Sequence, residues 1–227
     1  MKVVGITGTK GKTTVTYLLE AILQKSHFQP AVIGTISYRG PGMKISAERT
    51  TPEAPDLQRM LKETLEHGAT HCLIEVSSHS LELKRVLGIG FDVAVFTNLS
   101  GEHLDFHQSM ENYYQAKKKL FFLNHKKRMA VVNLDDRWGK RLVSELEKGI
   151  ITYGLEPGAA VCAKGCELTE KGIVLSLKYP AGELEISSPL LGKANLYNIL
   201  TSAAVALALN IDIPHIQEGI ASLERVP

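Results

Sequence analysis

The stretch Val3-Val4-Gly5-Ile6-Thr7-Gly8-Thr9-Lys10-Gly11-Lys12-Thr13-Thr14 decides the reading of the whole chain. An apolar run meets a glycine turn and then a segment, 12–24, whose apolar residues recur at helical spacing, so a strand, a tight turn and a helix follow one another directly. Such a junction aims successive backbone N–H groups and the positive end of a helix dipole at one spot. Phosphate oxygens fit that spot. Gly8 and Gly11 allow a backbone approach that a Cβ would block, Lys12 can reach the β and γ phosphates, and the Thr13 hydroxyl can ligate Mg²⁺, with Thr9, Lys10 and Thr14 completing the turn. The longer form of this motif has a glycine where Ile6 stands. The strand before and the helix after therefore carry the assignment to a nucleoside triphosphate.

Outward from the loop, short apolar runs at 3–7, 31–34, 71–75, 93–97, 130–133 and 150–153 alternate with helical periodicity at 12–24, 54–66, 110–123 and 136–147. That alternation predicts an α/β fold, a mostly parallel sheet flanked by helices. From about 159 to 188 the texture changes to three short alternating stretches, 161–168, 172–177 and 182–187, which predict a small antiparallel β subdomain. Helices are expected again over 193–209 and 215–223. At 227 residues the chain has the size of one large domain, 1–227, with the meander appended.

The formal charge of +2 lacks the basic excess of a nucleic-acid binder, and no apolar run reaches bilayer-spanning length, so neither nucleic acid nor membrane is expected as a partner. An apolar run directly after Met1 and Lys2 leaves no room for a targeting peptide, which sets a cytoplasmic location as the expectation. Cys72, Cys162 and Cys166 do not match paired zinc-ligand spacing and read as ordinary thiols, Cys72 as a core residue.

In an open parallel sheet, ligands bind beyond the carboxyl ends of the strands. Glu75 stands at such an end, either as an exposed strand-end carboxylate or as a holder of Mg²⁺ beside the triphosphate. The segment 96–107 brings Glu102, His103, Asp105 and His107 to another, with Asp105 a candidate cap for the helix at 110. Lys117 to Lys119 read as a solvated basic face, and Thr50-Thr51-Pro52 as a capped helix start.

Four motifs, in order, give these residues a common meaning: Thr7-Gly8-Thr9-Lys10-Gly11-Lys12-Thr13-Thr14; Glu75-Val76-Ser77-Ser78-His79; Thr97-Asn98-Leu99 with Glu102-His103-Leu104-Asp105; and Tyr114-Gln115-Ala116-Lys117. Together they resemble the central domain of the Mur ligases, most closely the MurE type, over essentially the whole chain. The resemblance implies an ATP-dependent acid–amino-acid ligase of peptidoglycan precursor synthesis, in which ATP phosphorylates the carboxylate of a UDP-muramyl-peptide and an amino acid's amine displaces the phosphate. It implies Mg²⁺ held by Thr13 and Glu75, a second held by His103, and an N6-carboxylysine at Lys117. Lys12, Lys117 and His103 would then be catalytic. Thr50, Thr51, Ser77 and Arg85 match positions that contact the UDP-muramyl substrate, and Asn195, in Gly192-Lys193-Ala194-Asn195, matches one that contacts adenine.

The sequence departs from the family's pattern at Lys10, where asparagine is usual, at Leu83, where a polar residue is common, and at Ala194, where phenylalanine is usual. The resemblance covers neither the family's N-terminal nor its C-terminal domain, which implies a central domain that needs flanking domains or a partner chain for full activity. Two other readings stay open at this point: a folylpolyglutamate-synthase-like ligase, and a non-catalytic ATP-binding module acting through a partner.

Overall fold

The computed structural model describes residues 1–123 and 129–227. The first strand, β1 (Lys2–Thr7), is buried from Val3 onward and leads through the glycine turn into α1 (Lys12–Lys25). The chain then forms β2 (Pro30–Ile33), a hairpin of β3 (Ser37–Gly40) and β4 (Met43–Ser46), and α2 (Ala54–Glu66). It continues through β5 (His71–Glu75), the short α3 (Ser78–Glu82), β6 (Val93–Phe96), one turn of helix α4 (Leu104–His107) and α5 (Met110–Lys118). After β7 (Met129–Asn133), α6 (Arg137–Glu145) and β8 (Ile150–Gly154) comes the meander, β9 (Val161–Thr169), β10 (Gly172–Tyr179) and β11 (Gly182–Ser188). Two helices, α7 (Lys193–Ala208) and α8 (Ile213–Ser222), follow.

The eleven strands of the described residues form one sheet in the order β11-β10-β9-β8-β7-β6-β1-β5-β2-β3-β4. The run from β9 to β2 is parallel, and each edge is extended by antiparallel strands. The predicted fold class is therefore the observed one, with a refinement at the meander. It continues the main sheet, because β9 pairs parallel with β8 through Tyr153 opposite Val161 and Gly154 opposite Cys162. Its inward residues Ile173, Leu175, Leu177, Leu184 and Ile186 join the core under α1, α7 and α8.

Sheet alternation sends neighbouring residues of one strand to opposite faces. Val4 and Ile6 of β1 pack with α1, α7 and α8, whereas Val3 packs with the core that holds Leu57 of α2, Leu81 of α3, Tyr113 and Tyr114 of α5 and Leu142 of α6. Cys72 lies within that second core, where burial pushes its thiol up to about 12 and keeps it protonated, as an ordinary core residue.

The β3–β4 hairpin is absent from the sequence reading, although Gly40-Pro41-Gly42 is a turn signal, and Gly40 pairs with Met43 across it. The expected helix 110–123 stops at Lys118 and tightens into a 3₁₀ turn at Lys119–Phe121. The helix expected at 136 starts at Arg137, because the Asp136 carboxylate accepts the N–H groups of Trp138 and Gly139 as its cap. Asp105 does not cap α5; the Ser109 hydroxyl does, accepting the Asn112 N–H at 3.1 Å.

His71 opens β5 at 3% exposure, with Nε2 unpartnered among the described residues and its ring 4.6 Å from that of Phe28. Burial, aided by the charge of Lys2, lowers its pKa to about 4. As pH falls from about 6.5 toward 4 the unfolded chain takes up this proton first, so stability complete above that window is lost within it. Relative to His71→Gln, the wild-type chain is expected to lose about 2–3 kcal/mol more between pH 7 and pH 4.5, read from urea midpoints. Equal losses in the two proteins would refute this.

Candidate active site at the carboxyl ends of the central strands

The glycine turn is held from the side by the end of β6. Gly8 has φ 148° and Gly11 φ 89°, and a Cβ on Gly8 would stand 1.9 Å from Thr97 Oγ1. Thr97 Oγ1 donates to the Lys10 carbonyl at 2.7 Å, and the Asn98 amide grips the same residue twice, accepting the Lys10 N–H at 3.0 Å and donating to its carbonyl at 3.1 Å. The Thr9 N–H donates to the Asn98 carbonyl at 2.9 Å. The Lys10 side chain is exposed, while Thr14 lies half-buried in the first turn of α1.

Lys12 folds back over the turn, its Nζ donating to the carbonyls of Gly8 and Thr9, both at 2.9 Å. Lys117, which the sequence placed on a solvated basic face, is instead 1% exposed, and its Nζ donates to the same Gly8 carbonyl at 2.8 Å. The helix turns it inward because Tyr113, Ala116 and Leu120 lie on the buried stripe with it. Two lysine amines thus converge on one oxygen. Burial, then the neighbouring Lys12, holds the Lys117 pKa well below the ordinary lysine value against the pull of Glu102. Burial also lowers Lys12, opposed by Glu75 and Glu102. A low dielectric disfavours the charged form of each, and like charge so close disfavours charging both.

Glu75 is not an exposed strand end: it is 1% exposed and forms no ion pair among the described residues. Its Oε2 accepts the Thr13 hydroxyl at 2.9 Å and the Thr35 hydroxyl at 3.0 Å, and its Oε1 accepts the Thr35 N–H at 3.0 Å. The expected threonine cap on α2 is not formed; Glu53 takes the cap position without a side-chain bond. Thr51 Oγ1 instead donates to the Glu75 carbonyl at 2.7 Å and accepts the Ser77 N–H at 3.2 Å. Arg85 donates to the Thr51 carbonyl at 3.2 Å and pairs with Glu53 at 2.8 Å, and its buried Nε has no partner among the described residues. Thr51, Ser77 and Arg85 therefore form one ledge beside Glu75, and Thr50 joins it through Thr35, their hydroxyl oxygens 3.1 Å apart.

His103 is exposed with φ 57°, its ring centroid 5.1 Å from that of His79 and 6.2 Å from that of Tyr113. Lys117 Nζ lies 4.5 Å from the Tyr113 ring, so His103 and Lys117 both border one tyrosine. Among the described residues no three His, Cys, Asp or Glu side chains gather as a ready-made metal cage. The predicted metal set, Thr13, Glu75, His103 and Lys117, draws instead on a hydroxyl and an amine.

Asn195 stands at the start of α7, with Nδ2 donating to the Leu191 carbonyl at 2.8 Å and Oδ1 accepting Asn198 Nδ2 at 3.0 Å. Both polar ends are thus engaged locally. Asn198, buried one turn on, is what meets the phosphate turn: a Cβ on Gly11 would stand 2.4 Å from its Oδ1. Sequence reasoning missed this role for Asn198, and it missed Thr35, which lies in the short link between β2 and β3.

Two observations fit a Mg²⁺-bound triphosphate. Gly8 and Gly11 leave room that any side chain would fill, with Lys12 and the start of α1 beside it. Glu75 is a buried carboxylate whose described donors are all neutral, beside a threonine hydroxyl that gives it a proton and keeps free lone pairs. No described helix is long and apolar enough to cross a membrane.

Residues 6–206 match the family described as Mur ligase middle domain. The chain is 45% identical over 231 residues to UDP-N-acetylmuramoyl-L-alanyl-D-glutamate--2,6-diaminopimelate ligase of Geobacter metallireducens, covering 99% of this chain and 45% of that protein. The enzyme of the same name from Gloeobacter violaceus is 42% identical over 223 residues, with 98% of this chain and 45% of that protein covered. A solved structure titled as the same kind of ligase superposes with a TM-score of 0.91 at 30% identity, over 100% of this chain and 47% of the other. The chain thus spans about half the length of the relatives it matches.

Proposed function

Because this chain belongs to the Mur ligase family, as its middle domain, we propose that it is the ATP-handling domain of a ligase that phosphorylates the carboxylate of a UDP-muramyl-peptide so that an amino acid can be joined to it. The observation that carries this reading is the convergence of the Lys12 and Lys117 amines on the Gly8 carbonyl, with the Thr13–Glu75 pair on the other arm of the turn. Lys12 offers positive charge to the transferring phosphoryl group, and the backbone N–H groups of the turn orient the phosphates. Thr13 and Glu75 would hold a Mg²⁺ that neutralises phosphate charge, and His103, with Lys117 as its carbamate, would hold a second on the acceptor side. Arg85, with an unpartnered Nε, and Thr50, Thr51 and Ser77 present the acceptor side.

A lysine kept neutral is a nucleophile. The neutral Lys117 amine attacks the carbon of CO₂: an N–C bond forms as one C–O π pair moves onto oxygen, one N–H proton passes to water, and a carbamate anion replaces a neutral amine. That gives the site a second anionic oxygen ligand beside Glu75. A non-catalytic binding module has no use for an amine buried this deeply, which favours the ligase. A UDP-linked acceptor would favour a cytoplasmic site for the reaction.

The purified chain is expected to bind Mg-ATP yet to ligate slowly or not at all, because it spans 45% of a relative and closing the site and excluding water would fall to the parts beyond it. Calorimetry tests the first half: Lys12→Ala should weaken Mg-ATP binding by about 100-fold, as expected when a charge-assisted contact to phosphate is removed. Unchanged affinity in Lys12→Ala, or amide formation by the lone chain at a whole ligase's rate, would overturn the reading.

A further inference from the structure

We propose that Thr35 is a positioning residue for the Mg²⁺ site, one that sets the orientation of the Glu75 carboxylate and ties it to the acceptor ledge through Thr50; this rests on the reading of Glu75 as a magnesium holder. Thr35 meets both oxygens of Glu75, its N–H on Oε1 at 3.0 Å and its hydroxyl on Oε2 at 3.0 Å. A carboxylate held at both oxygens by adjacent groups of one residue cannot rotate about its terminal bond without losing both contacts. The preceding residue reinforces the clamp: a Cβ on Gly34 would stand 2.3 Å from Glu75 Oε1, so the backbone is laid directly on the carboxylate.

Proton counting gives the clamp a direction. The hydroxyl of Thr35 has one proton, spent on Glu75, so in its 3.1 Å contact with Thr50 Oγ1 the donor is Thr50. A continuous line of hydroxyls then runs from Thr50 to Thr35 to Glu75, and Thr13 joins the same Oε2 from the phosphate side. Thr51 holds the same glutamate by its backbone, donating to the Glu75 carbonyl at 2.7 Å. The acceptor ledge and the metal carboxylate are therefore one hydrogen-bonded unit, with Thr35 as its middle member. Thr35 is itself exposed and lies in a link between strands, so its three contacts are not required to fill a core.

The test measures Mg²⁺-dependent ATP binding to this chain by calorimetry, with magnesium titrated at fixed ATP and with ATP alone in EDTA. Thr35→Val keeps the shape and removes the hydroxyl; it is expected to raise the magnesium concentration for half-maximal enhancement about tenfold, the usual cost of removing an outer partner of a metal-holding carboxylate. Binding in EDTA should stay unchanged, the melting temperature should fall by no more than the loss of one hydrogen bond to a carboxylate implies, and Thr35→Ser should restore the wild-type values. Thr50→Val is expected to shift the midpoint by about threefold, in line with loss of one neutral hydrogen bond, and to add nothing when Thr35 is already valine. Glu75→Gln is the reference. If it raises the midpoint and Thr35→Val does not, the role of Thr35 is wrong while that of Glu75 stands. If Glu75→Gln leaves the midpoint unchanged, the reading of the metal site itself fails and takes this one with it. Additive effects of Thr35→Val and Thr50→Val would overturn the link to the acceptor ledge.

Discussion

Lys117→Met is expected to lower amide-bond formation by the full-length ligase about 1,000-fold, a loss typical of removing a charge-stabilising group from a reacting centre, while leaving the domain at least as stable as before. The second half distinguishes a site residue from a structural one. Lys117 is 1% exposed and its pKa is held well below that of a free lysine, so folding excludes a proton that the unfolded chain binds. Between that lowered pKa and about 10.4 the unfolded state carries more protons, and stability rises with pH across the window. Methionine has nothing to titrate and fits a similar volume, and the Gly8 carbonyl keeps Lys12 as a donor. In CO₂-free buffer the variant should match or exceed the wild type at pH 7 by urea midpoint, with its advantage shrinking toward pH 9.5. Lys119→Ala, which breaks only an exposed contact with Glu82, serves as the control and should leave turnover unchanged. A Lys117→Met enzyme that keeps its rate, or a domain that loses several kcal/mol at pH 7, would contradict the assignment.

The second large effect is expected at Gly8→Ala. The new methyl group would meet Thr97 Oγ1 at 1.9 Å, and that hydroxyl is committed to the Lys10 carbonyl, so it cannot swing away without releasing the turn. The backbone at φ 148° adds strain for any side chain. Together these should cost about 3 kcal/mol of stability, the range for overpacking a tight site. Mg-ATP affinity should fall below detection, because the carbonyl that moves is the one both lysines share. Gly11→Ala should be milder, since what it meets, at 2.4 Å, is the end of the Asn198 side chain. Equal melting temperatures for wild type and Gly8→Ala, or a worse result for Gly11→Ala, would show that the turn yields more readily than its contacts imply.

Local patterns made the parallel sheet and the phosphate turn legible, because each strand, turn and helix carries its own period and its own glycines. The Gly40-Pro41-Gly42 turn of the β3–β4 hairpin carries a local signal of the same kind. What local patterns do not carry is convergence. Lys117 sits among Lys118 and Lys119, which as a triplet look like a solvated face; only its place on the stripe of Tyr113, Ala116 and Leu120 hints that it points inward. Glu75 looks like any strand-end glutamate until Thr35, forty residues earlier, closes over it. Thr35 has no signature at all, because its meaning lies in the pairing of β2 beside β5, a register no single segment encodes.

The position of β1 in the sheet bears on how errors of alignment are absorbed. That strand has parallel neighbours on both sides and packed side chains on both faces, so the turn that leaves it is anchored in the stiffest part of the molecule. Thr35 and Thr50 come from links around β2, β3 and β4, at the sheet's margin. The phosphate turn is thus anchored from the middle of the sheet, while Glu75 is also held from its margin, through Thr35 and Thr50. A change at the margin would therefore be felt at the carboxylate beside the turn, while the strand that carries the turn stays in place.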